Sequence, residues 1–302
     1  MADTHRIRWT TLGLALGLLG SSPGALAHTL SAYLMPEAFD LKNPTVTVQS
    51  ALTVEKFYEP SRSFAAHYQW VGPDGQASTP VPVAELKRYS ILELDVPQPG
   101  TYRLQASSRE PQLTQYAQVD GQWLRIRPSR AQETTTPRSE PATRAPAASP
   151  AQSQPRRFIT ADQVPASAAR ATSQLIQQAE LYVSRGAPSA LPAARGQGFE
   201  LVPLTAPNDV YVDSGFEFRL QQDGQPLTGV PVEVFRGSDG LDPQAARGSQ
   251  TVTTDAQGRA RVNFAQPGVY LLTTRHPQEA AQGSRPPAAR SVQYSLSLQV
   301  AP

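Results

Sequence analysis

Histidine is scarce in this chain, with four among 302 residues, and cysteine is absent. Few side chains can therefore hold a transition metal or act as nucleophiles. The sharpest arrangement is Ala25-Leu26-Ala27-His28. Small residues at 25 and 27 make a small-x-small cleavage site, and cleavage after Ala27 makes His28 the first residue of the mature chain. A free α-amine and an imidazole on one residue offer two nitrogens to one ion, a donor set that suits zinc, copper, nickel and cobalt. His5 departs with the leader, which leaves His67 and His276 as the other imidazoles. His67 lies in residues 64–71 (FAAHYQWV), whose alternation puts it with Ala65 and Gln69 on the more polar side. His276 precedes Pro277 and reads as a loop residue. The candidate metal ligands are therefore His28 first and His67 second. The plainer reading of either is a solvated surface histidine.

Other chemistry finds little footing. Without cysteine there is no thiol catalysis and no thiolate metal site. No G-x-S-x-G elbow, P-loop or H-E-x-x-H occurs. Glu93 and Asp95 share a strand face, the usual placement of solvated carboxylates. A non-enzymatic protein is expected.

The elements that must position these residues begin after a secretory leader, residues 1–27. Arg6 and Arg8 form its basic start, residues 10–20 (TTLGLALGLLG) its apolar centre, and Ser21-Ser22-Pro23-Gly24 its break. The apolar run falls short of the ~20 residues that span a bilayer. The expectation is secretion to the periplasm, with no membrane-embedded segment. A net charge of +2 with scattered basic residues gives no reason to expect nucleic-acid binding.

Residues 28–127 read as a β-sandwich domain. Residues 45–52 alternate Thr and Val, residues 89–96 alternate again, and Asp120-Gly121 splits a hairpin. Residues 128–160 are rich in Pro, Ala, Ser and Thr and read as a disordered linker, because so few apolar groups cannot offset the ordering entropy. Residues 161–302 read as a second β-sandwich domain with a leading extended segment. Within it, 161–178 is ambiguous, since Ala and Gln favour helix while Leu181-Tyr182-Val183 favours strand. Gln98-Pro99-Gly100-Thr101-Tyr102 in the first half matches Gln266-Pro267-Gly268-Val269-Tyr270 in the second. A tyrosine opening the penultimate strand is the tyrosine corner of immunoglobulin-like sandwiches. Where antibody domains carry a cysteine, this chain has Leu104 and Leu272. The expected fold is thus all-β, with two immunoglobulin-like or transthyretin-like sandwiches.

A set of motifs then carries a family resemblance. They are the Ala27-His28 start, Leu34-Met35-Pro36, Pro73-Asp74-Gly75 and Gly100-Thr101-Tyr102. Residues 182–189 (YVSRGAPS), 200–209 (ELVPLTAPND) and 254–258 (TDAQG) continue the match. With these the chain resembles domain-of-unknown-function family 4198, whose members are often labelled NikM-like periplasmic components of nickel transport. The resemblance implies an extracytoplasmic protein tied to nickel or cobalt uptake, with His28 as the ligand carried over and strand over 174–184. The expected function is therefore a periplasmic, non-enzymatic binding or accessory protein for nickel or cobalt. Its partner would be a membrane metal transporter or an envelope protein. The alternative is a structural or protein-interaction module of the cell envelope with no metal site.

Overall fold

The computed structural model describes residues 30–53, 60–129, 158–237, 249–278 and 283–302, and nearly every ordered element among them is a β-strand. Short-range chemistry explains the turns. Asp120-Gly121 and Asp223-Gly224 both take positive φ, 51° and 75° in the first pair, 51° and 77° in the second. Two successive left-handed residues give the hairpin turn whose twist matches that of its strands. The first of these turns joins Gln112–Val119 to Gln122–Arg127.

Both tyrosine corners form. Tyr102 Oη donates to the Gln98 carbonyl at 2.9 Å, and Tyr270 Oη donates to the Gln266 carbonyl at 2.7 Å. Leu104 and Leu272, two residues on, are fully buried. Apolar packing there takes the place of an inter-sheet disulfide, at roughly 1.5–3 kcal/mol per buried side chain.

One strand ties the halves together. Ser31–Pro36, Thr45–Thr53 and Ser90–Asp95 form one sheet of the first sandwich. Ala66–Val71 and Gly100–Ser108 belong to the facing sheet. That sheet continues into Arg170–Arg185, far along the chain, whose residues 182–185 pair antiparallel with 103–100. Residues 174–181 of the same strand pair in parallel with 290–297 of Arg290–Ala301, a strand of the second sandwich. Its early residues, 170–175, pair with 117–112. The stretch that was ambiguous between helix and strand is therefore extended from Arg170 onward. Its neighbours on both edges supply hydrogen bonds that outweigh the helical preference of Ala and Gln.

Successive strand residues point to opposite faces, and here each face builds a different core. Ala179, Leu181 and Val183 pack into the first core, while Tyr182 packs into the second with Phe199, Phe216, Tyr294 and Leu296. The second core is closed by a facing sheet of Phe199–Pro203, Phe216–Gln222 and Arg259–Val262. The two immunoglobulin-like sandwiches thus lie against opposite faces of one continuous sheet.

Residues 130–157, most of the expected disordered linker, lie outside the described residues. Its flanks are neighbours, because Arg125–Arg127 pair in parallel with Phe158–Thr160. Around the junction, Thr101 exchanges hydrogen bonds with Ser189, N–H to Oγ at 2.9 Å and back at 3.1 Å, and accepts one from Asn208 Nδ2 at 3.3 Å. Gly100 allows this approach. At φ +132° a Cβ there would lie 2.7 Å from Pro73 Cβ and 3.0 Å from Ser189 Oγ.

Candidate functional site

The outer face of the first sandwich carries a cleft of about 250 Å³. His67 and Gln69 project into it from Ala66–Val71, and Ser107 and Gln105 stand opposite them in register. Gln178 and Glu180 follow from the shared strand, and Arg195 closes the side nearest the second sandwich. His67 and Gln69 are exposed while Ala66, Tyr68 and Trp70 are buried, the alternation expected from the sequence.

The floor is polar yet buried. Glu180 accepts a hydrogen bond from Gln105 Nε2 on one carboxyl oxygen and from Tyr294 Oη, at 2.7 Å, on the other. Beside it Arg103 hydrogen-bonds Tyr182, and all five of these residues are buried. Glu200, at the start of the second sandwich, accepts from the Arg195 and Gly196 amides at 2.7 and 3.1 Å and from Gln221 at 2.9 Å. The Arg195 guanidinium lies 3.5 Å away. Burial pushes the Glu200 carboxyl up, but these hydrogen bonds outweigh it and hold the group below the usual glutamate range.

Burial, with Glu180 adding, raises the phenol pKa of both Tyr182 and Tyr294 well above 10.0. In the unfolded chain both phenols ionise near pH 10, whereas in the fold they keep their protons. Above that pH only the unfolded state releases protons. Stability is fully present below about pH 10 and falls beyond it, by up to roughly 1.4 kcal/mol per pH unit per tyrosine. Urea midpoints should be level from pH 8 to near 10 and then drop, and Tyr294→Phe should make the drop shallower.

The sequence candidates are scattered relative to this site. His67 lines the cleft, and His28 lies outside the described residues. His276 is the last residue of the strand Gly268–His276 rather than a loop residue. Its ring centroid is 6.2 Å from that of Phe199, and burial lowers its pKa. Among the described residues, no three of His, Cys, Asp and Glu converge as a metal would require. Sequence reasoning missed Arg103, Glu180, Arg195 and Glu200. The signal for Glu180 was an acidic residue inside the apolar run Leu181-Tyr182-Val183 extends, and it is readable only once that run is known to be a strand buried on both faces.

A family model described as "Domain of unknown function (DUF4198)" matches residues 25–278. No curated protein matches the chain. Among solved structures it is similar to the D0-D1 domain of intimin, at 11% identity over 88% of this chain and 96% of that one, with a TM-score of 0.20. A DUF4785 family protein from Legionella pneumophila matches at 8% identity over 80% and 50%, with a TM-score of 0.21. A tetra-tandem repeat from the extending region of a large adhesion protein matches at 10% identity over 90% and 74%, with a TM-score of 0.21.

Proposed function

The chain belongs to the DUF4198 family, a family of unknown function, and we propose that it is an exported, non-enzymatic binding protein of the periplasm that meets its ligand at the His67 cleft. The observation that carries this reading is the cleft itself, an exposed imidazole above a buried polar floor, set where the two sandwiches meet. Ser107 faces His67 in register, yet no side-chain hydrogen bond joins them, and both oxygens of Glu180 are already engaged. A binding role suits that arrangement better than a serine–histidine relay, which needs its members bonded in sequence.

The cargo we propose is a divalent transition metal, nickel or cobalt, passed to a membrane metal transporter or envelope protein. The described residues do not make a metal centre by themselves. The ligands would be the amine and imidazole of His28 after cleavage behind Ala27, with His67 as a further imidazole. The second reading is an envelope interaction module with no metal site.

Nickel and cobalt binding should be measured on the natively cleaved chain, on a form retaining residues before His28, and on His28→Ala and His67→Ala. One ion per cleaved chain is expected, lost in the uncleaved and His28→Ala forms and weakened in His67→Ala. Equal, negligible binding by all four forms would leave the interaction module standing in place of the metal reading.

A further inference from the structure

The chemistry of the cleft narrows what it takes. Gln69, Gln105, Gln178, Ser107 and Thr79 supply neutral amides and hydroxyls, groups that both donate and accept hydrogen bonds. The orientation of the Gln105 amide is fixed from below. Glu180 is acceptor-only when ionised, so it selects the NH2 end of that amide and leaves Oε1 turned away from it. Gln105 is only 8% exposed, and its Oε1 has no hydrogen-bond partner. A buried acceptor without a donor costs the fold about 1–3 kcal/mol in general, so a ligand that delivers a donor to the cleft floor gains what the free protein lacks.

From this we infer that the cleft binds a neutral, hydroxyl-rich ligand, a single sugar residue or the end of a saccharide chain. The inference rests on the cleft being the binding site and adds a second ligand there, beside the metal ion proposed at His28 and His67. Hydroxyls match a lining of amides and hydroxyls in both roles. A carboxylate or phosphate would set an acceptor against Gln105 Oε1 and above Glu180, and the Arg195 guanidinium at the side of the cleft is already engaged by Glu200. An extended peptide adds along a sheet edge, whereas this cleft opens on the sheet face that His67, Gln69, Ser107 and Gln105 share. The volume, about 250 Å³, falls below the ~300–1,000 Å³ of sites for drug-sized ligands, which fits one ring and not a long oligomer.

The test uses the mature chain and follows the His67 imidazole resonances by NMR. N-acetylglucosamine, maltose and cellobiose form one arm, and co-sedimentation with purified peptidoglycan sacculi forms another, so that free sugar and envelope polymer are told apart. Nickel, glutamate and citrate form a third. Saturable shifts of His67 with a saccharide, or co-sedimentation with sacculi, are expected. Gln69→Ala and Gln178→Ala, both at the open rim, should each weaken that binding about two- to tenfold without lowering the melting temperature. Saccharide binding that neither variant changes, or no saccharide or sacculus binding, overturns the inference. If an ion or acid of the third arm moves His67 instead, the saccharide falls while the cleft stands. If nothing in any arm moves it, both fall.

Discussion

A chain cut after Ser129 is expected to yield no folded first sandwich, although every strand of that sandwich except one lies before the cut. The missing strand is Arg170–Arg185. It supplies Ala179, Leu181 and Val183 to the first core, all essentially inaccessible to solvent. Burial of the leucine and the valine alone is worth about 1.5–3 kcal/mol each. The strand also pairs with residues 100–103, and Arg185 Nη1 donates to the Val96 and Pro97 carbonyls at 3.0 and 2.7 Å. Losing these together removes a large share of the 5–15 kcal/mol that holds a typical domain. It also bares Gly100–Ser108 as a sheet edge open to aggregation. The amide spectrum of residues 28–129 should be collapsed. Dispersion should return when residues 165–186 are attached through a short Gly/Ser bridge. A well-dispersed spectrum from 28–129 alone would show that the shared strand is dispensable.

That dependence marks the border of what the sequence reveals. Features set by residues close in the chain were legible. The Asp-Gly turns follow from backbone preference, the tyrosine corners join residues four apart, and the outward face of His67 follows from period-two alternation. Features set by pairing across the chain were not. Gln105 and Glu180 are 75 residues apart, and Glu180 and Tyr294 are 114 apart. Nothing local marks Glu180 as their common acceptor. The Ala- and Gln-rich stretch before it reads as helix or strand until its neighbours on both edges are known. The motifs that carry the family resemblance take on a structural meaning here. Gly100-Thr101, Ser184, Ser189 and Asn208 come from three separate motifs and form one hydrogen-bonded junction.

Glu180, whose buried hydrogen bonds reach Gln105 in the first half and Tyr294 in the second, is where the coupling of the two sandwiches can be tested most directly. Glu180→Leu is expected to destabilise the whole chain by about 3–5 kcal/mol. Removing one member of a buried polar set leaves the others desolvated and unpaired. Here they are the Gln105 amide and the Tyr294 hydroxyl. Glu180→Gln keeps one acceptor and the same shape, so its cost should be about 1–2 kcal/mol, and Tyr294→Phe should cost a similar amount. Combining Glu180→Leu with Tyr294→Phe should cost less than the sum by about 1 kcal/mol or more, since the second change removes a hydroxyl the first had already stranded. Urea unfolding at pH 7 gives each value. Trp70 fluorescence reports the first core, and near-ultraviolet circular dichroism of the second-core tyrosines reports the other. Because Leu181 and Tyr182 follow Glu180 directly and enter the two different cores from one strand, the two signals should shift together. A second sandwich that melts early while the first keeps its midpoint would mean that the sheet is continuous in geometry but not in energy. If Glu180→Leu is as stable as the parent chain, the buried cluster is not what holds the seam.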